Sequence, residues 1–538
     1  MKKRFKVVNA ATAMCMFLSL VLAGCGGAPS SNSTKPGETS KSATPSAAVT
    51  VSSTPADPDI SKEVNLKGYL LGSAPTGFND VMTKVNEKLK ADINATMEIA
   101  YIGWADLGSK YPLILASGED VDWIYTAGWC YYSTQASKGA FFEITEDMYQ
   151  QYMPQHYAKL KDSTAFKEVK INGRMYMIPT STPDKKTSAF IYREDLRKKY
   201  NIPEINKFSD IEPYLEAIKK NEPDMIPMNL DSQYDLGTAL GNLMADNGLW
   251  VDIGGAQGGF GVYYDFEDPE GKLIPISDES YSSLLKSNAK TVKKWYDAGY
   301  INRNVFNNQV RSKESFEQGK SAVGFGNTID LQANISNSTA QGYEVAIVPV
   351  VSGKTGHSGA NSYLNNGFAI AANTKNADRV MMAFDKIMED KEYIHLVYFG
   401  IEGTNYVVKD GKISLPEGLT SDKNTYPPDA AGFWFVNKDY FEPMESWTPQ
   451  YIELQDKMDQ ILVPDTYSAF APVTDNVKTE VANVQQVFSQ YFQPIAIGAV
   501  QDIDAAFNTL TEKLKAAGQQ KILDEMTTQT KAFLDAQN

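Results

Sequence analysis

The stretch 169–196, VKINGRMYMIPTSTPDKKTSAFIYREDL, limits what this chain can fold into more than any other. Asn172-Gly173 asks for a two-residue type I′ hairpin turn, because both central positions of that turn need positive φ. From Arg174 to Ile178 the side chains alternate, with Met175 and Met177 on one face and Arg174, Tyr176 and Ile178 on the other, which predicts a strand. Pro179 ends it, since proline offers no N–H to a ladder. After a polar break, 187–192 reads as a new strand, and Glu194 opens a helix that runs to Tyr200. A hairpin, a proline stop and a strand entering a fresh α/β pattern predict a passage between two lobes.

Length agrees. At 538 residues the chain exceeds what one hydrophobic core organises, so more than one domain is expected. Its 42% apolar and 22% charged residues are ordinary for a soluble globular protein. Net charge is −15, and the first 24 residues hold four basic and no acidic side chains, so the remainder carries −19 (−15 less 4). That balance argues against nucleic acid and anionic membrane surfaces, both of which select basic patches. The 29 tyrosines are enough for either core or stacking surfaces.

Lys2, Lys3, Arg4 and Lys6 precede an apolar run over 7–20 that is too short to span a bilayer, which reads as a secretion signal over 1–24. Leu22-Ala23-Gly24-Cys25 resembles the bacterial lipobox, and the resemblance implies a diacylglyceryl group on Cys25. The stretch from there to residue 60 is rich in Ser, Thr, Pro, Ala and Gly and predicts a disordered tether. The chain would then sit on the outer face of the cell membrane and touch the bilayer through the anchor only. Of the three cysteines, Cys15 and Cys25 belong to the signal and its lipobox and only Cys130 lies in the body, so no intrachain disulfide is expected there.

The body opens with a strand over 64–71, a helix over 78–89, a strand over 96–102, a helix over 107–116 and a strand over 121–125. This is the βαβ pattern of a parallel open sheet. Such sheets take ligands beyond the carboxyl ends of their strands, here 72–76, 103–106 and 126–132. Trp104, Trp129 and Tyr131 fall there, and aromatic faces at a cleft suit the C–H faces of sugars. The same rings could equally fill the lobe's own core. From residue 187 the α/β pattern restarts, with helices over 208–220, 236–244 and 281–298 and a hairpin about the acidic turn 267–271. The glycine-rich run 254–261 lacks the Lys-Ser/Thr of a phosphate loop and reads as a surface loop. Gly518 predicts the end of a helix over 502–517.

Gly173-Arg-Met-Tyr-Met-Ile-Pro179, followed by Ala189-Phe-Ile-Tyr-Arg-Glu-Asp-Leu196, resembles the first interlobe crossing of extracellular solute-binding proteins of the maltose-binding class. Those proteins deliver sugars to ABC importers. Further resemblances lie in Ala116–Tyr125, with Val121 where the family has proline, in Phe316–Asn327, and in Asn366–Ala371. They imply a monomeric α/β protein of the two-lobed, periplasmic-binding-protein-like class II fold with two or more interlobe crossovers. The first lobe would comprise 61–180 plus 352–405 and the second 181–351 plus 406–538. They also imply a cleft with ligand-binding residues Trp104, Asp122, Trp129, Tyr131, Asn327, Asn366 and Trp434, the last on the opposite wall. Ile329 and Asp330 stand where relatives often carry a tryptophan.

No catalytic or metal-binding pattern competes. His156, His357 and His395 are far apart, one cysteine cannot build a zinc cluster, and no Gly-x-Ser-x-Gly elbow occurs. Glu143, Glu146 and Asp147 lie where a helix begins, as dipole partners do. The expectation is an extracellular, lipid-anchored receptor that delivers a carbohydrate, an oligosaccharide, to ABC permease subunits without cofactor or metal. The alternatives are a surface sensor or adhesion receptor using the same cleft and a secreted two-carboxylate glycoside hydrolase.

Overall fold

A computed structural model describes residues 59–255, 259–467 and 470–535; the signal, Cys25 and the tether lie outside them. Val64–Leu71, Ala95–Ile102 and Trp123–Tyr125 are parallel strands joined by helices Phe78–Ile93 and Leu107–Ala116, as the alternation predicts. Phe78, Val81, Met82, Val85, Leu89 and Ile93 form the buried stripe of the first helix. Gly367–Ile370 adds antiparallel to Trp123–Tyr125, and Ile178–Pro179 pairs antiparallel with it in turn, completing five strands. Gly68 makes the centre of this sheet possible. The indole of Trp123 lies across it, and a Cβ there would stand 2.0 Å from the ring.

Asn172 and Gly173 take φ 51° and 79°, the turn the sequence asks for, between Lys170–Ile171 and Arg174–Met175. The expected strand 174–178 does not run through. Arg174–Met175 pairs back across the hairpin while Ile178–Pro179 enters the main sheet, and both Met177 and Ile178 are fully buried. Burial from two sides ends the alternation.

The second lobe is built on a four-stranded sheet in the order Val345–Pro349, Ser188–Arg193, Ser321–Asn327, Ile226–Met228. Ser188–Arg193 runs antiparallel to both neighbours, and Ile226–Met228 parallel to Ser321–Asn327. The acidic hairpin appears as Val262–Asp265 against Ile274–Pro275. Helix Ile503–Ala517 starts on an Asp502 cap and ends at Gly518, φ 93°, with helix Gln519–Asp535 following.

Each lobe has its own core. One gathers side chains from 66–178 and 364–436, the other from 190–350 and 467–526. A smaller cluster on the far face of the second sheet joins Ile191 and Ile347 to Tyr451, Leu454 and Met458 of helix Pro449–Ile461. The division of lobes therefore needs correction: Tyr406, Ile413, Tyr426, Phe433 and Phe435 belong to the first core, not the second. The cause is aromatic anchoring. Phe435 packs on Phe368 and Phe384, and the Tyr426 hydroxyl donates to Val397 O. The chain crosses between lobes a third time only after Met444, and Trp447 is the first side chain packed on the second lobe.

Candidate functional site

Strand direction decides which ends face each other. Ile178–Pro179 and Trp123–Tyr125 both oppose Gly367–Ile370, so the chain leaves the first lobe at the carboxyl ends of its parallel strands. It enters the second at Ser188, the amino end of a strand against which Ser321–Asn327 and Val345–Pro349 run antiparallel. Their carboxyl ends, and that of Ile226–Met228, thus point back at the crossing. Loops 72–76, 103–106 and 126–132 of one sheet and loops 229–235 and 328–330 of the other thus lie at the ends nearest the crossings, the side on which open α/β sheets take ligands.

The first wall is aromatic. Trp104, on a short turn after Ala95–Ile102, lies nearly parallel to Trp434 (centroids 5.8 Å, 15°) and to Trp129 (6.2 Å, 30°). Its ring is 45% exposed, whereas Trp129 and Trp434 are half-buried. The flanking indoles are fixed by their N–H groups: Trp129 Nε1 donates to Asn365 O (2.8 Å) and Trp434 Nε1 to Asp429 O (3.3 Å). Beneath them Tyr125 meets Trp434 edge to face, 5.5 Å between centroids, and donates its hydroxyl to Asn366 Oδ1 (2.8 Å). Three chain segments thus supply one offset-stacked indole surface, open to solvent at its middle. Trp434 stands on the same wall as Trp104 and Trp129, not opposite them, because its segment packs in the first lobe.

The opposite wall comes from residues the sequence reading passed over. Tyr234 is 50% exposed, and the Arg311 guanidinium lies 4.8 Å from its ring centroid. Arg311 reaches Asp330 only at 3.5 Å, and its Nε is buried with no hydrogen-bond partner among the described residues. Asp330 is held by Lys313. Asn327 Oδ1 accepts from the backbone N–H groups of Ile329 and Asp330, which shapes this loop. Tyr234 was invisible because Ile226–Met228 is only three residues long and leaves no periodic signal, and Arg311 because it precedes a helix of only six residues, Ser312–Glu317.

Two expected residues fall differently. Asp122 precedes Trp123–Tyr125 at the amino end, away from the cleft, and is 5% exposed; its carboxylate accepts from Lys67 N, the Thr374 hydroxyl and Asn376 Nδ2. It is a buried clamp between strands. Tyr131 stacks on Tyr111 (5.1 Å) and buttresses helix Leu107–Ala116 beside the indoles. Asn366 is buried in the hinge.

Two carboxyls below Trp434 differ sharply in charge. Asp184 is buried, but Lys438 and Lys186 hold it ionised, well below the usual carboxylate range. Burial pushes Asp429 up to about 7, with the nearby Asp184 charge adding to the effect and Lys438 opposing it. One buried group has the residue types of a hydrolytic triad, Ser181, His156 and Glu389. Serine and glutamate both approach the same nitrogen, Nδ1, and His156 is inaccessible, so no proton could pass from serine through the ring to carboxylate. Glu146 and Asp147 occupy the first turn of helix Glu146–Tyr152, as dipole partners. Among the described residues no three His, Cys, Asp or Glu side chains gather to hold a metal ion, and no helix is long and apolar enough to cross a membrane.

The chain is similar to known proteins. A carbohydrate ABC transporter substrate-binding protein of Streptococcus pneumoniae is 26% identical over 486 residues, 87% of this chain and 91% of that one. The crystal structure of the N-glycan transport solute binding protein NgtS of the same species superposes with TM-score 0.72 at 24% identity, covering 89% of this chain and 100% of that one. Its complex with Man5GlcNAc superposes with TM-score 0.67 at 25% identity over the same shares. Residues 466–535 match a domain of unknown function, which here is the terminal helical part of the second lobe. The bacterial extracellular solute-binding protein family matches residues 73–393, more than half of the sequence and every element that builds the cleft walls except the Trp434 loop; the chain belongs to that family.

Proposed function

We propose that this protein captures an oligosaccharide between its lobes and delivers it to an ABC importer, held at the cell surface by a lipid on Cys25. The observation that carries the carbohydrate reading is the run of near-parallel indoles Trp129, Trp104 and Trp434, presented where the fold takes ligands. Sugars offer apolar C–H faces to such rings and hydroxyls to polar edges. Tyr234 and Arg311 supply a ring face and donors on the other wall. The relatives support the same reading: one is named for carbohydrate, another was crystallised with a mannose-containing glycan. Binding stabilises the closed form by its differential affinity, and the closed form docks on the permease. The sugar leaves unchanged.

Thermal unfolding against a panel of mono- and oligosaccharides, Man5GlcNAc included and peptides as controls, tests this. A ligand at about 100 times its Kd adds roughly 2.7 kcal/mol and raises Tm. A rise with one sugar class, lost in Trp104→Ala and with the sugar recovered intact, is expected. No rise with any sugar would overturn the carbohydrate assignment, and consumption of the sugar would show an enzyme.

A further inference from the structure

The indole surface and the hinge are wired together through one carboxylate. Asp184 lies in the outgoing crossing between lobes and is 6% exposed. Its Oδ1 accepts from Lys438 Nζ (2.5 Å), and its Oδ2 from Lys186 Nζ (2.6 Å) and Asn366 Nδ2 (3.1 Å). Each donor leads elsewhere. Asn366 accepts the Tyr125 hydroxyl through its Oδ1, and Tyr125 packs on Trp129 and Trp434. Lys438 Nζ also donates to the backbone oxygen of Trp434 (2.6 Å). Asn361, on the return crossing, donates to the backbone oxygens of both Asp184 (2.9 Å) and Lys186 (2.8 Å). It accepts from Asn365 Nδ2 (2.7 Å), whose own backbone oxygen holds the Trp129 indole. Two of the three stacked indoles are therefore each a few hydrogen bonds from the same two residues of the hinge.

We propose that Asp184 is a positioning residue that couples the setting of Trp129, Trp434 and Tyr125 to the angle between the lobes. A desolvated carboxylate that already has three donors resists losing any of them, because an unpaired buried charge is costly. A shift of Tyr125 or Trp434 on seating a ligand is then relayed to the crossings as a change in the donors around Asp184. The coupling deepens the receptor reading but is present without ligand, so it can be tested apart from it.

Paired nitroxide labels at Lys84→Cys and Lys220→Cys, exposed positions on helices of opposite lobes, report lobe separation by pulsed electron spin resonance. The buried Cys130 remains unlabelled. The measurement uses the compact unit Asp57–Asn538 without ligand. Asp184→Asn should broaden the distance distribution, and Tyr125→Phe, which deletes only the hydroxyl link, should broaden it in the same sense. The double variant should be no broader than Asp184→Asn alone. Lys438→Met serves as a second cut in the network should Asp184→Asn fold poorly. Distributions unchanged from wild type in variants that only melt earlier would reduce Asp184 to a structural ion pair and overturn the proposal. Broadening in Asp184→Asn but not in Tyr125→Phe would overturn the link to the indoles. A protein that responds in this assay yet melts alike with every sugar would keep the coupling and lose the carbohydrate reading.

Discussion

Trp104 makes few commitments to the fold: its ring is 45% exposed and its contacts are with two other indoles. Trp104→Ala should leave Tm almost unchanged while weakening sugar binding by about 1–2 kcal/mol, roughly five- to thirtyfold, measurable by calorimetric titration. Asp429 carries a different expectation. Its carboxyl is raised to about 7 in the folded chain, above its ordinary 3.8, so between those values the folded state holds a proton that the unfolded state has lost. Stability from this group falls as pH rises through that window. Asp429→Asn removes the penalty and suits the residue's φ of 71°, a region asparagine tolerates. The variant should therefore melt higher than wild type near pH 8, by about 1 kcal/mol or more given about 1.4 kcal/mol per pKa unit, with the gap closing as pH falls toward about 4. Asp184 has the opposite sign. Its lowered carboxyl contributes fully above 3.8 and loses that contribution only below it, so it does not blur the window. Neither acid was legible in the sequence: Asp184 owes its charge to Lys438, which reaches the first crossing from a distant part of the chain, and Asp429 owes its raised carboxyl to burial that no local pattern shows. The place of Trp104 and Trp129 beyond strand ends was legible because such ends in a βαβ pattern can be located from periodicity alone.

Elements with an unbroken period appear almost where they were expected: Val64–Leu71 and Leu107–Ala116 match to the residue, and Glu279–Asp297 differs by two at its start and one at its end. Those whose burial changes along their length do not, as 174–178 shows by splitting between a surface hairpin and the central sheet. The 406–444 segment failed for a related reason. It has one short hairpin and is placed by aromatic anchors such as Phe435, which carry no address that a local pattern can read. Strand Val64–Leu71, beside the central strand of the first lobe, yields a sharp prediction of its own. Gly68→Ala puts a methyl 2.0 Å from the Trp123 ring, so either strand or indole must move. Overpacking of this kind costs about 1–3 kcal/mol or more, and chemical denaturation should show a lower midpoint at unchanged m-value. An unchanged midpoint would mean that Trp123 has an alternative seat.

At the scale of the molecule, two cores joined by three crossings leave the cleft walls touching solvent from both sides: Trp104 and Tyr234 are 45% and 50% exposed. Ring faces this open on opposing walls have little reason to stay apart once something apolar fills the space between them. At about 25 cal/mol per Å², covering both rings favours closure by an amount comparable to a typical hinge equilibrium. The ligand's length then matters. A single sugar ring can cover one indole, whereas the three indoles and the Tyr234–Arg311 pair together ask for several linked rings that touch both lobes. Oligosaccharides should therefore lower the radius of gyration measured by small-angle X-ray scattering, and monosaccharides should bind weakly without lowering it. Arg311→Ala separates binding from closure. It removes a donor from the second wall only, so a glycan should still quench the tryptophan fluorescence of the first wall while the contraction is reduced. Equal contraction in wild type and variant would place the second-lobe contact elsewhere on loops 229–235 or 328–330.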